Sequence, residues 1–127
     1  LQKEFAVRLA AEPGSSDYSR LTVFTQAACE VKLLFNIPRF AFTPIPLVDS
    51  AVVHLRKRTQ PVKLNHAIVT ALFQHKNQSV KNALKHSRTT LGSQLDKILS
   101  SLDPAMAGKK VRMLSLDELK KISGGMP

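Results

Sequence analysis

Two prolines set two residues apart, Pro44 and Pro46, most constrain what this chain can fold into. Proline fixes φ near −65° and offers no backbone donor, so no helix or central strand runs through them. Arg39–Pro46 is therefore a stiff, extended loop, and it carries two aromatic rings, Phe40 and Phe42. A β-forming run lies on each side. Before the loop, Glu30–Ile37 alternates: Val31, Leu33, Phe35 and Ile37 point one way, Lys32, Leu34 and Asn36 the other. Leu34 on the second face implies that this face is partly covered. After the loop, Val48–Arg56 places Val48, Ser50, Val52 and His54 opposite Asp49, Ala51, Val53 and Leu55. Two such strands pair antiparallel across a ten-residue connection.

The flanks read as helix. Gln2–Ala11 has Phe5 and Leu9 one turn apart and stops at Pro13-Gly14. Ser15-Ser16-Asp17 offers caps for a second helix over Tyr18–Ala28, with Leu21, Phe24 and Ala28 on one face. Thr59-Gln60-Pro61 is a boundary, and the pattern beyond it is wholly helical. Asn65 caps His66–His75; Gln78–His86 follows with Val80 and Leu84; Ser93 caps a segment with Leu95, Ile98, Leu99 and Leu102. Asp103-Pro104 opens a short turn that Gly108 ends. Ser115-Leu116-Asp117-Glu118 is a capping box, and Gly124 stops the last helix. The predicted fold is an α/β remnant of about two strands and two helices (residues 1–58), then a small all-α domain (59–127). Two strands and two helices leave one sheet face and one edge open.

The net charge of +10 is unevenly spread. Residues 1–37 balance four basic against four acidic residues; residues 38–127 carry fifteen basic and five acidic ones. No acid occurs between Asp49 and Asp96, a window holding Arg56, Lys57, Arg58, Lys63, Lys76, Lys81, Lys85, Arg88 and all four histidines. A surface of one sign repels itself unless it meets a polyanion, and nucleic acid is the usual one. No apolar run is long enough to span a bilayer. Lys3, Glu4 and Arg8 do not fit a signal peptide. The single Cys29 has no disulfide partner, cannot build a thiolate zinc site, and is expected to be a buried thiol.

Chemistry-bearing motifs are scarce. There is no glycine-rich phosphate loop and no nucleophile elbow. His66, His75 and His86 sit about one per helical segment, among lysines, without metal spacing. The loop is the exception. A ring held stiffly beside a basic domain is suited to stacking an unpaired base. Phe42, flanked by Ala41 and Thr43, either does this or packs beneath the loop, and Phe40 competes for either role.

At Phe42-Thr43-Pro44-Ile45-Pro46-Leu47-Val48-Asp49-Ser50-Ala51-Val52-Val53 the chain resembles the F-x-P-x-P-x-V-x-S-A-V-V signature of the rRNA adenine dimethyltransferases. Other stretches agree in order: Leu1–Leu9 with L-Q-K-E-x-A-x-R-L, Pro13–Val23 with P-G-S-x-x-Y-x-R-L-S-V, Phe73–Leu84 with F-x-x-R-x-K-x-x-x-N-A-L, and Arg112-Met113-Leu114-Ser115-Leu116-Asp117-Glu118-Leu119 with the family's closing box of an arginine, a Leu-Ser pair and a later leucine. The resemblance implies the C-terminal half of such an enzyme: the end of a Rossmann-like methyltransferase sheet and the helical rRNA-binding domain. The glycine-rich loop that holds S-adenosylmethionine and the N-[IL]-P-Y motif that contacts the target adenine are absent from this sequence. The family chemistry is attack of the adenine amino nitrogen on the sulfonium methyl, giving N6,N6-dimethyladenine in small-subunit rRNA during ribosome biogenesis. By the same resemblance Phe42 packs on the target adenine. The rRNA grip is expected from Arg39, Arg56, Lys57, Arg58, Lys76, Lys81, Lys85 and Arg88. Leu47 and Asn77 stand where the family commonly has cations, and Arg39 where it has a small residue or proline. S-adenosylmethionine belongs to the full-length enzyme, expected to be a monomer in the cytoplasm, or the nucleolus of a eukaryote. This chain alone is expected neither to bind the methyl donor nor to methylate. The alternatives are a stand-alone RNA-binding or ribosome-assembly module without catalysis, and a DNA-binding helical domain resting on Lys76–His86.

Overall fold

The computed structural model describes residues 1–123, so the stop expected at Gly124 lies outside the described residues. In chain order the elements are α1 (Lys3–Leu9), α2 (Arg20–Ala28), β1 (Cys29–Ile37), a 3-10 turn (Arg39–Ala41), β2 (Ser50–Lys57), α3 (His66–Phe73), α4 (Val80–His86), α5 (Arg88–Leu91), α6 (Ser93–Ser101), α7 (Pro104–Ala107), a second 3-10 turn (Val111–Met113) and α8 (Leu116–Ser123). The architecture is α/β: an antiparallel hairpin with helices before and after it.

β1 and β2 pair from Cys29 opposite Lys57 to Ile37 opposite Ser50, with a bulge between Leu33 and Phe35. The bulge overturns the simple alternation expected of β1. Leu33 pairs with Val53 but Phe35 with Val52, so the faces swap at Leu34, which is the unpaired extra residue. Leu34 is not covered: Leu33, Leu34, Phe35 and Leu55 are all exposed. Ala51 is the fully buried residue of the hairpin, where β2 meets α1.

α2 starts two residues later than expected. Its cap is Ser19, not Ser15, Ser16 or Asp17: Thr22 N donates to Ser19 Oγ (3.5 Å) and Ser19 N to Thr22 Oγ1 (3.1 Å). This frees Tyr18 from the helix to enter the core, where its hydroxyl donates to the Leu114 carbonyl at 2.8 Å. Burial, aided by the charge of Glu118, pushes the Tyr18 hydroxyl up to about 12. The buried face of α2 is Thr22, Val23 and Ala27; the expected Leu21 and Ala28 are exposed. Pro13-Gly14 follows α1 as a turn, with Gly14 at φ +92° and its amide donating to Arg112 O at 2.7 Å. A side chain there would also crowd the Met113 sulfur.

The helical half follows local chemistry closely. Asn65 Oδ1 accepts from Ile68 N (3.2 Å), Ser79 Oγ from Asn82 N (3.3 Å) and Asp103 Oδ1 from Ala105 N (3.0 Å). Ser115 and Glu118 exchange bonds at 3.2 Å each, the reciprocal box expected from the sequence. Ser93 does not cap: Gly92, at φ +54°, precedes it, and Ser93 is the first helical residue of α6. α5 was not expected. Ile68, Val69, Leu72, Val80, Ala83, Leu84, Leu95, Ile98, Val111, Leu114, Leu119 and Ile122 form the core, and Ala11, Tyr18 and Val23 belong to the same cluster. The apolar core therefore runs without a break from the N-terminal segment into the helices.

Candidate nucleic-acid interface

The loop between the strands is closed by a clasp. Asp49 Oδ1 accepts from the Arg39 backbone N–H (2.9 Å) and from Arg39 Nε (3.2 Å), while Arg39 Nη1 donates to Leu47 O at 2.9 Å. The Arg39 amide, then the Arg39 guanidinium and Lys3, hold the Asp49 carboxyl below its usual range against a partial opposing effect of burial. The loop base is stitched to α1, since Lys3 N donates to Asp49 O (2.9 Å) and Ala51 N to Leu1 O (2.8 Å). Beside it lies an open cavity of about 300 Å³, lined among others by Lys3, Glu4, Asp17, Arg39, Val48 and Asp49.

The 3-10 turn at Arg39–Ala41 throws both rings outward. Phe40 is 76% exposed and Phe42 40%, and the side chain of Leu47, whose carbonyl accepts from Arg39, is 90% exposed. An apolar ring half in solvent and half against its loop is available to stack on a planar group at small ordering cost.

The expected cations occupy several places. Arg39 is committed to the clasp rather than free. Arg56 and Lys57 are exposed at the far end of β2; Arg58 is half-buried and donates from Nε to Gln26 O at 2.7 Å. Seven strand steps separate Ser50 from Lys57, so this end lies roughly 23 Å from the Phe42 loop at a strand rise of about 3.3 Å. Lys76 is half-buried, with Nζ on Ser16 O at 3.1 Å. Lys81 and Lys85 lie one turn apart on the exposed side of α4, whose Val80, Ala83 and Leu84 are buried; exposed Arg88 opens α5. Thus Lys81 and Lys85 share one exposed face of α4, while the hairpin cations lie at the end of β2 away from the loop.

Three arrangements escaped the sequence reading. The Arg39–Asp49 clasp joins residues ten apart whose opposite charges flank the loop. His66 stacks on Phe24 with ring centres 3.9 Å apart, tying α2 to α3. His75 and His86, at the ends of α3 and α4, approach to 5.1 Å. Cys29 starts β1 and is half-buried, not buried as expected. Among the described residues no group of three or more His, Cys, Asp or Glu is placed to hold a metal ion. No helix among them is long and apolar enough to cross a membrane.

The fold is one shared with rRNA methyltransferases. The structure is similar to that of a dimethyladenosine transferase from Plasmodium falciparum, with a TM-score of 0.75 at 27% identity over 95% of this chain and 53% of that one. It also resembles the 23S rRNA methyltransferase ErmE, with a TM-score of 0.58 at 26% identity over 95% of this chain and 50% of that one. Residues 1–123 match the family model of ribosomal RNA adenine dimethylase, and the chain belongs to that family. Curated relatives include a probable ribosomal RNA small subunit methyltransferase A of Thermococcus gammatolerans, 44% identical over 126 residues, and one of Pyrococcus abyssi, 40% identical over 125. The ribosomal RNA small subunit methyltransferase A of Saccharophagus degradans is 40% identical over 129 residues. These matches cover 95%, 95% and 97% of this chain and 45%, 46% and 46% of those proteins, so the chain spans about half the length of the curated relatives it matches.

Proposed function

We propose that this chain supplies the base-stacking loop and the rRNA grip of an enzyme that dimethylates adjacent adenines at N6 in small-subunit rRNA during ribosome biogenesis. The observation that carries the reading is the clasped loop with Phe42 half-exposed, on a chain whose helices display Lys81, Lys85 and Arg88 without neighbouring acids in sequence. In this reading Phe42 packs on the extruded adenine, and the helical cations hold the backbone phosphates. Residues 1–58 complete the Rossmann-like sheet of the catalytic domain, and residues 59–127 are the rRNA-binding domain. The enzyme works as a monomer where ribosomal subunits mature, in the cytoplasm or, in a eukaryote, the nucleolus.

The residues described do not fit the methyl donor. The glycines among them sit at turns and form no glycine-rich loop, and of the three carboxylates lining the cavity beside the loop, Glu4, Asp17 and Asp49, the last is spent on Arg39. S-adenosylmethionine binding is therefore assigned to the part of the relatives beyond the matched span. The 127 residues alone should give no heat on calorimetric titration with S-adenosylmethionine, and tight binding would overturn this division. The role of Phe42 is tested in a full-length enzyme carrying this sequence. Phe42→Ala should slow methylation of small-subunit rRNA by about 5- to 150-fold, the kinetic equivalent of one lost base stack. Phe42→Tyr should retain most of the rate. Equal rates for Phe42→Ala and the unaltered enzyme would refute it.

A further inference from the structure

Arg20 opens α2 from the charge-balanced part of the sequence, yet it lines a cleft with the last turns of α3. The cleft has a volume of about 310 Å³ and is lined by Ser19, Arg20, Thr70, Phe73, Gln74 and Lys76. Two cations face it, and no carboxylate does. The nearest acid in sequence, Asp17, lines the other cavity with Lys3 and Arg39. Arg20 is exposed and makes no hydrogen bond or ion pair among the described residues. Lys76, in contrast, is held by Ser16 O, so its ammonium is already positioned. The half-buried Phe73 is braced by the buried Tyr18 ring, 5.8 Å between centres, and offers an apolar wall.

Two uncompensated cations facing one small cleft repel each other unless an anion sits between them. Guanidinium binds phosphate oxygens bidentately and ammonium adds a point charge. The Ser19 and Thr70 hydroxyls and the Gln74 amide suit a sugar or base edge. At the small end of ligand pockets, about 300–1,000 Å³, the volume accommodates one nucleotide. We propose that this cleft binds a single nucleotide of unpaired RNA, with its phosphate between Arg20 and Lys76 and its sugar or base against Phe73. The inference rests on the rRNA reading above and extends it: it adds Arg20 to the grip and a second docking point away from Phe42.

The test is fluorescence anisotropy with a labelled twelve-nucleotide single-stranded RNA, measured over a salt series on the 127-residue chain. Arg20→Ala should weaken binding about fivefold or more and lower the slope of log affinity against log salt by about 0.7, the loss of one single-strand phosphate contact. Arg20→Lys should keep the slope. Adenosine monophosphate should compete for the unaltered chain better than adenosine does. Arg20 is exposed, so an unchanged melting temperature is expected and separates lost contact from lost fold. A Lys81→Ala, Lys85→Ala double variant reports on the underlying reading. If it loses affinity while Arg20→Ala binds RNA like the unaltered chain with the same slope, the cleft is refuted and the rRNA reading stands. If the unaltered chain binds no RNA, both fall.

Discussion

Arg39 shows what one hydrogen bond does to a functional assignment. From sequence it is a cation beside a stacking loop, and phosphate is the natural partner. In the structure its amide and guanidinium both address Asp49, so it holds the loop shut. The charges were legible; their pairing was not, because it depends on the 3-10 turn that brings Arg39 back over the loop base. Asp49→Ala should therefore loosen the loop without unfolding the chain, whose core contains neither residue. Trypsin should nick after Arg39 severalfold faster in that variant, and an unchanged rate would sink the clasp as a restraint. The pH dependence has a definite sign. The folded Asp49 carboxyl lies below its ordinary value, so the clasp is fully present above the usual carboxylate range and is lost as pH falls through the lowered value. The sequence has no tryptophan, so Phe42→Trp places a lone indole on the loop to report that release.

Most elements with local signals were legible, the Ser93 cap and α5 excepted. The expected Asn65, Asp103 and Ser115 caps all form, since each needs only a side chain and an amide two or three residues on, whereas α4 starts two residues later than expected, on a Ser79 cap the sequence reading did not name. α2 was harder. Three cap candidates precede Tyr18, but Ser19 wins because Thr22 reciprocates and because Tyr18 is drawn out to Leu114, 96 residues away. The β1 bulge was equally hidden, as Leu33-Leu34-Phe35 reads the same in either register. At α8 the box is reinforced: Lys109 Nζ reaches both Glu118 oxygens at 2.8 and 2.9 Å. Ser115→Ala should cost about 1 kcal/mol, read as a lower denaturation midpoint in urea. Lys109 first, then the Ser115 bonds, hold the Glu118 carboxyl low, against some burial. Its contribution is thus complete above the usual carboxylate range and vanishes as pH falls through the lowered folded value.

At the scale of the molecule, the order helix, helix, strand, loop, strand, helices was readable from periodicity and turn residues. The shared core was not, because it joins Ala11, Tyr18 and Val23 to residues 68–122 across the whole hairpin. Such non-local contacts carry no sequence periodicity. The hairpin itself contributes nothing to that cluster, and its two ends are held together at its root. Arg58 N donates to Ala28 O at 3.0 Å, Val62 N to Ala27 O at 2.9 Å, and Cys29 lies opposite Lys57. In engineering terms the hairpin is an insert with a closed neck, carried by a helical body whose core holds none of its residues. Removing residues 30–56 and joining Cys29 to Lys57 through an Asn-Gly turn should uncover α1, which packs on β2. It should leave the α2–α8 body folded, with its helical circular dichroism and one cooperative melt. Collapse of that signal would show that the neck, and not the helices, holds the body together.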